Sequence, residues 1–439
     1  LAGIAAGLSA LCYAEMASTV PVSGSTYSYA YATLGEVVAM GVAACLLLEY
    51  GVSTAAVSVG WSDYLSLLIE NLTGWGIPEI IKAGPFAENP GIINLPAVVL
   101  VAMCAFLLIR GASESAKANA IMVIIKLVVL LFFAAIAFTA FNADNFADFM
   151  PKGIGGVTLA AGAIFFTFIG LDAVSTAGDE VKNPQKALPI AILSALGIVV
   201  AIYLIVAIAA LGTQPWTAFS DSSQGEAGLS KILEMVTGNT WPGTLIAIGA
   251  VISIFSVTLV TMYGQTRILF AIGRDGLLPK TFAKVNPRTR TPVHNTIIVA
   301  IVVGLLAGFV PLDSLWDLVS IGTLIAFIVV SVGVIVLRRT RPDLPRGFKV
   351  PFYPVVPILS IIACAYILSG LHWITYLWFL GWLSVVLAFY FLWGRKHSKL
   401  NLLYAADGTL LSSAGALGGD GRDPYTSDAP MDDLGGRGH

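Results

Sequence analysis

Eleven apolar runs, each about long enough to cross 30 Å of hydrocarbon at 1.5 Å per residue, fall near residues 1–17, 36–60, 94–109, 119–141, 157–178, 188–212, 243–273, 293–310, 314–337, 355–371 and 373–394. Hydrocarbon supplies no partner to backbone N–H and C=O groups, so a chain that crosses it this often does so as α-helices. Charged residues make up 11% of the chain and hydrophobic ones 57%, against about 25% charged in soluble domains. The expected fold class is an all-α, multi-pass membrane protein. The net charge of −2 gives no support to nucleic-acid binding.

Lysine and arginine mark the cytoplasmic connections of such proteins. Alternate connections carry Arg110 and Lys117, then Lys182 and Lys186, then a basic group from Arg274 to Arg290, then another from Arg338 to Lys349. The opposite connections hold only Lys82, Lys152 and Lys231, and the tail after the last run carries Arg395, Lys396, Lys399, Arg422 and Arg437. The tail, residues 395–439, is therefore expected in the cytoplasm, and its Gly-, Ser- and Asp-rich end is too polar to build a core. Counting eleven crossings back puts Leu1 outside, with no basic flank of a cleavable signal before it. The expectation is a twelve-span parent whose first helix is absent. The connections 61–93 and 213–242 read as folded outer caps, and 18–35, with its period-two tyrosines, as a segment in the interface.

The run 157–178 differs from the others. Its centre reads Phe165-Phe166-Thr167-Phe168-Ile169-Gly170-Leu171-Asp172, a glycine and a carboxylate at a depth where the charge costs about 2.5 to 3.5 kcal/mol. A helix broken there frees backbone carbonyls near Phe168, Ile169 and Gly170 to accept hydrogen bonds from a substrate amino group, with Thr167 in the same stretch and Phe166 as a closing aromatic. A glycine kink with Asp172 bonded to a neighbouring helix is the alternative. Large carriers are often built from inverted repeats whose discontinuous helices meet at mid-membrane. The broken run then opens a second five-helix repeat over 157–337, with 1–141 the remainder of the first and 355–394 two additional helices.

Lys126 lies inside an otherwise apolar run, about eight residues from its cytoplasmic end. Desolvation disfavours an ammonium, which suits a group that gains and loses a proton; Ser256 and Thr258 are candidate hydroxyl partners. Glu49, also mid-span, either neutralises a cationic substrate side chain or pairs with Lys126. Glu15, Glu36 and Arg267 sit near helix ends and read as structural or gate-closing. Gly153-Ile154-Gly155-Gly156 precedes no strand–helix unit, the four cysteines lack metal-ligand spacing and none of the four histidines is placed for catalysis. No cofactor and no enzyme activity is expected.

The run from Phe166 to Pro189, with Gly170, Asp172, Glu180, Asn183 and Pro184, resembles the sixth helix and following loop of amino acid/polyamine/organocation permeases. Leu11 to Glu15, Pro21 through Gly24 to Tyr27, Leu48-Glu49-Tyr50, Gly60-Trp61-Ser62, Gly264 to Arg267, Arg274 to Pro279 and Arg338 to Pro351 extend the resemblance to the cationic amino acid transporter branch. It implies a secondary transporter of the plasma (inner) membrane that works by alternating access with protons. Phe166 would be its gate, Ile169 a carbonyl donor site, Lys126 the coupling amine and Glu49 a pocket acid. Cationic amino acids are the implied substrates; small neutral amino acids, or exchange rather than net uptake, are the alternatives. From the residues alone, a channel or a receptor-like scaffold also stands.

Overall fold

The computed structural model describes residues 1–21, 24–87, 89–111, 115–176, 181–220, 228–289 and 291–398. The tail from 399, Val22, Ser23 and Glu180 lie outside the described residues. Among the described residues there is no strand, and the order is α1 (Ala2–Thr19), α2 (Ser25–Leu34), α3 (Glu36–Thr73), α4 (Glu79–Lys82), α5 (Leu95–Arg110), α6 (Ser115–Ala137), α7 (Gly153–Ile164) and α8 (Ala173–Thr176). There follow α9 (Pro184–Thr213), α10 (Gly228–Thr237), α11 (Trp241–Arg274), α12 (Val293–Phe309), α13 (Leu312–Thr340), α14 (Val355–Leu368), α15 (Trp373–Phe389) and α16 (Arg395–His397).

Seven of these stretches are long and apolar enough to cross a membrane, and α5, α12 and α14 are shorter apolar helices. The chain is a multi-pass membrane protein. Burial sorts its helices: α3 and α13 lie mostly inside the bundle, whereas α6, α9 and α15 turn most of their apolar surface outward. Outward Leu, Ile and Val are what lipid requires. Between helices lipid gives no hydrophobic drive, so contact rests on small residues that let backbones approach. The face of α1 is accordingly Ala2, Ala5, Ala6, Ser9 and Ala10, all buried, against α9, α13 and α14. Gly264 serves α11 in the same way, since a Cβ there would stand 2.6 Å from the Tyr50 ring on α3.

One connection differs from its sequence reading, and a second gains a helix that the sequence did not show. Residues 61–73, expected as the start of an outer loop, continue α3, which runs 38 residues, about 57 Å at 1.5 Å per residue. Its buried Trp61, Ser62 and Ser66 keep this extension packed on the bundle. The tyrosine-rich connection is the helix α2, with Tyr27 and Tyr29 buried; its tyrosines lie on α3 and α13. The other long connection carries α10, whose Ile232 and Leu233 close over Phe133, Ala209 and Ile246.

Glu15 explains how the basic end of the bundle is fastened. Arg338 grips it with Nε at 2.7 Å and Nη2 at 2.5 Å, Arg346 Nε stands 3.4 Å away, and the Val350 N–H donates to Oε2 at 2.6 Å. Arg346 also donates to the carbonyls of Leu337, Arg341, Pro342 and Leu344. A buried carboxylate so enclosed pins the segment after α13 onto α1. Glu36, in turn, accepts from Tyr390 at 3.1 Å, and Arg267 donates to Tyr263 at 2.5 Å, so all three residues hold protein groups. Glu15→Ala should leave two guanidinium groups uncompensated and cost about 3 kcal/mol or more; a fall in the thermal unfolding midpoint of the purified protein checks this.

Candidate functional site

The ladder of α7 ends at Ile164 and tightens into a single 3₁₀ turn, Phe165–Phe168. Gly170 then takes φ +100°, a backbone conformation open to glycine and strained for other residues. Helix resumes at Ala173. The break is held by two neighbouring helices and by a bond of its own. The Phe166 N–H donates to Ser320 Oγ of α13 at 3.2 Å, the Tyr203 hydroxyl of α9 donates to the Thr167 carbonyl at 2.7 Å, and the Ile169 N–H donates to the Phe166 carbonyl at 3.0 Å. Among the described residues no donor reaches the carbonyls of Ile169 or Gly170. They lie past the C-terminal, electronegative end of a helix and invite a cation.

Those carbonyls adjoin a cavity of about 470 Å³ walled by α3, α6, α9, α11 and the break. Phe166, Thr167, Phe168, Ile169 and Gly170 all line it, and so does Lys126 from α6. Among the described residues, Lys126 is the only charged one of the lining. It makes no ion pair or hydrogen bond among the described residues, so the pairing with Glu49 weighed from the sequence is not made. Most of the remaining wall is apolar, including Val57, Leu127, Leu130, Leu196, Val199 and Val257, with Ser53 and Thr261 supplying hydroxyls.

Two expected site residues stand elsewhere. Asp172 is buried away from the lining, where its Oδ2 accepts from Tyr50 at 2.8 Å and Ser25 at 3.2 Å. Ser175 donates to its carbonyl at 2.5 Å. Asp172 thus fastens the far side of the break to α2 and α3, as in the alternative reading of this run. Glu49 is 1% exposed, beside Thr323 of α13, and it too is absent from the lining. Ser256 donates to Asn119 at 2.5 Å and not to Lys126.

Tyr203 and Tyr50 escaped the sequence reading. Each is a lone phenol in or beside an apolar run, which is a signal of a polar partner, but only the fold says which one. Tyr203 also sets its ring edge on Phe168, 5.7 Å between centroids.

The family model described as an amino acid permease matches residues 1–405. The chain belongs to the amino acid permease family. This places it in the amino acid/polyamine/organocation superfamily and makes it a transporter, not an enzyme. It is 45% identical over 406 residues to a branched-chain amino acid permease of Bacillus subtilis, covering 91% of this chain and 86% of that protein. A methylthioribose transporter of the same organism is 41% identical over 401 residues with the same shares. The cationic amino acid transporter 2, vacuolar, of Arabidopsis thaliana is 36% identical over 350 residues, 78% of this chain and 54% of that protein.

A Cβ on Gly170 would meet nothing within 4 Å, so Gly170→Ala carries backbone strain alone. It should cost about 1 to 3 kcal/mol, read as a lower unfolding midpoint together with slower substrate uptake.

Proposed function

We propose that this permease carries amino acids with apolar side chains by alternating access, coupled to protons. The observation that carries the reading is the break at Ile169 and Gly170, with donor-free carbonyls beside a cavity whose wall is mostly aliphatic. The carbonyls would take the substrate ammonium, Phe166 would close over it, and the aliphatic wall would take the side chain. The eleven spans read from the sequence, with the second repeat over 157–337 and two added helices over 355–394, supply the scaffold, and the tail faces the cytoplasm.

The resemblance to cationic amino acid transporters implies a cationic side chain. Lys126 disfavours this, since a like charge in a poorly solvated cavity repels the ligand, and Glu49 does not face the cavity. The permease of Bacillus subtilis whose name specifies branched-chain amino acids points the same way. Lys126 itself remains as the coupling amine, because an unpaired amine on the cavity wall exchanges its proton as the cavity meets water on either side. One charge moved through 100 mV supplies about 2.3 kcal/mol, roughly fiftyfold in concentration.

The test is uptake into liposomes carrying the full chain, with radiolabelled Leu, Val, Ala, Arg and Lys and with methylthioribose. Leu and Val should be taken up at least about tenfold more efficiently than Arg or Lys; efficient Arg uptake unaffected by excess Leu contradicts the reading. Lys126→Met should bind Leu within a few-fold of the unmodified protein yet lose about tenfold or more of its gradient-driven uptake. Unchanged acceleration by an imposed pH gradient removes Lys126 from coupling.

A further inference from the structure

The two buried carboxyl groups outside the cavity form a second polar centre, and its chemistry is short of hydrogen. Glu49 and Asp172 are each 1% exposed. Both oxygens of Glu49 and Oδ1 of Asp172 make no well-formed hydrogen bond among the described residues, although buried polar atoms are nearly always satisfied; the nearest donors are the Thr323 hydroxyl, itself bonded to the Val319 carbonyl, and the N–H groups of Gly170 and Asp172. Tyr50, next to Glu49 in sequence, bridges the layer by its bond to Asp172.

What faces them is neutral. Around Glu49, α3 presents Cys45 and Tyr50, α1 presents Tyr13, α13 presents Thr323 and the break presents Asp172. Around Asp172 stand Tyr50, Ser25, Ser175 and Tyr13. From α11, Gln265 reaches Leu47 and Gly51 on another face of α3, and Arg267 turns to Tyr263. Among the described residues no Lys, Arg or His lies within ion-pair distance of either carboxyl. Glu15 is the contrast within the same molecule, a buried carboxylate enclosed by two arginines. Two bare carboxylates sharing one dry layer cost several kcal/mol each in desolvation and repel as well, whereas a carboxylic acid brings its own donor.

We propose that Glu49 and Asp172 together form a proton-binding site, separate from Lys126, that holds a proton while Asp172 is bonded to Tyr50 of α3. Asp172 belongs to the segment that enters α8, so moving that segment off Tyr50 breaks the bond, parts Asp172 from α3 and lets water take the proton. Its use in transport rests on the permease reading above; proton binding itself does not.

Infrared difference spectroscopy of the purified full chain, taken between neutral and strongly alkaline pH, tests the site without any transport assay. A carboxylic acid C=O band should be present at neutral pH and should be missing from both Glu49→Gln and Asp172→Asn. A band that survives in both variants, or no such band in the unmodified protein, overturns the site. In liposomes, Glu49→Gln should flatten the dependence of Leu uptake on external pH, with Glu49→Asp restoring it; a profile in Glu49→Gln matching the unmodified protein overturns the coupling role. Should the unmodified chain carry no amino acid while the band persists, the permease reading fails and the site stands.

Discussion

A peptide group in hydrocarbon has only other protein groups to bond, and most of this structure follows from how each helix meets that demand. Most of the long helices meet it within themselves. The stretch from α7 to α8 does not, and each of its displaced groups has to be answered by a neighbour: Ser320 for the Phe166 N–H, Tyr203 for the Thr167 carbonyl, Tyr50 and Ser25 for the Asp172 carboxylate. The carbonyls of Ile169 and Gly170 are left over, beside a cavity. Four elements hold the break, so the unmet groups occupy fixed positions, which is what a binding site needs.

Buried charge divides along the same line. Glu15 is enclosed by Arg338, Arg346 and a backbone N–H, an arrangement that is costly to open and serves the frame. Among the described residues Lys126, Glu49 and Asp172 have no such ionic partner; Lys126 lines the cavity and Asp172 closes the break. Pairing a charge fixes it, and leaving it unpaired keeps its protonation responsive. The two classes separate paired charge in the frame from unpaired charge in the spans.

Depth was legible in the sequence, and direction was not. The hydropathy runs, the glycine and the misplaced carboxylate located the break around Gly170, and the cost of a lone cation in a span picked out Lys126; both lie on the cavity. The same cost argument picked out Glu49 and Asp172 with equal force, because insertion energy depends on how deep a group lies and hardly on which way it points. Whether a side chain turns to a cavity or to a hydroxyl depends on partners far along the chain: Ser25 is 147 residues from Asp172 and Tyr50 is 122. That the connection with Tyr27, Tyr29 and Tyr31 is a helix packed on α3 and α13 was hidden for a related reason, since a period-two pattern shows no helical stripe.

In the proposed function, the leftover carbonyls at the break accept the ligand's ammonium. Competition binding with leucine and with its analogue bearing a hydroxyl in place of the ammonium measures that contact directly, since shape and side chain are shared. Leucine should bind about a hundredfold more tightly, the 2.8 kcal/mol or so expected for charged hydrogen bonds lost from a dry site. Equal affinity for the two would contradict it.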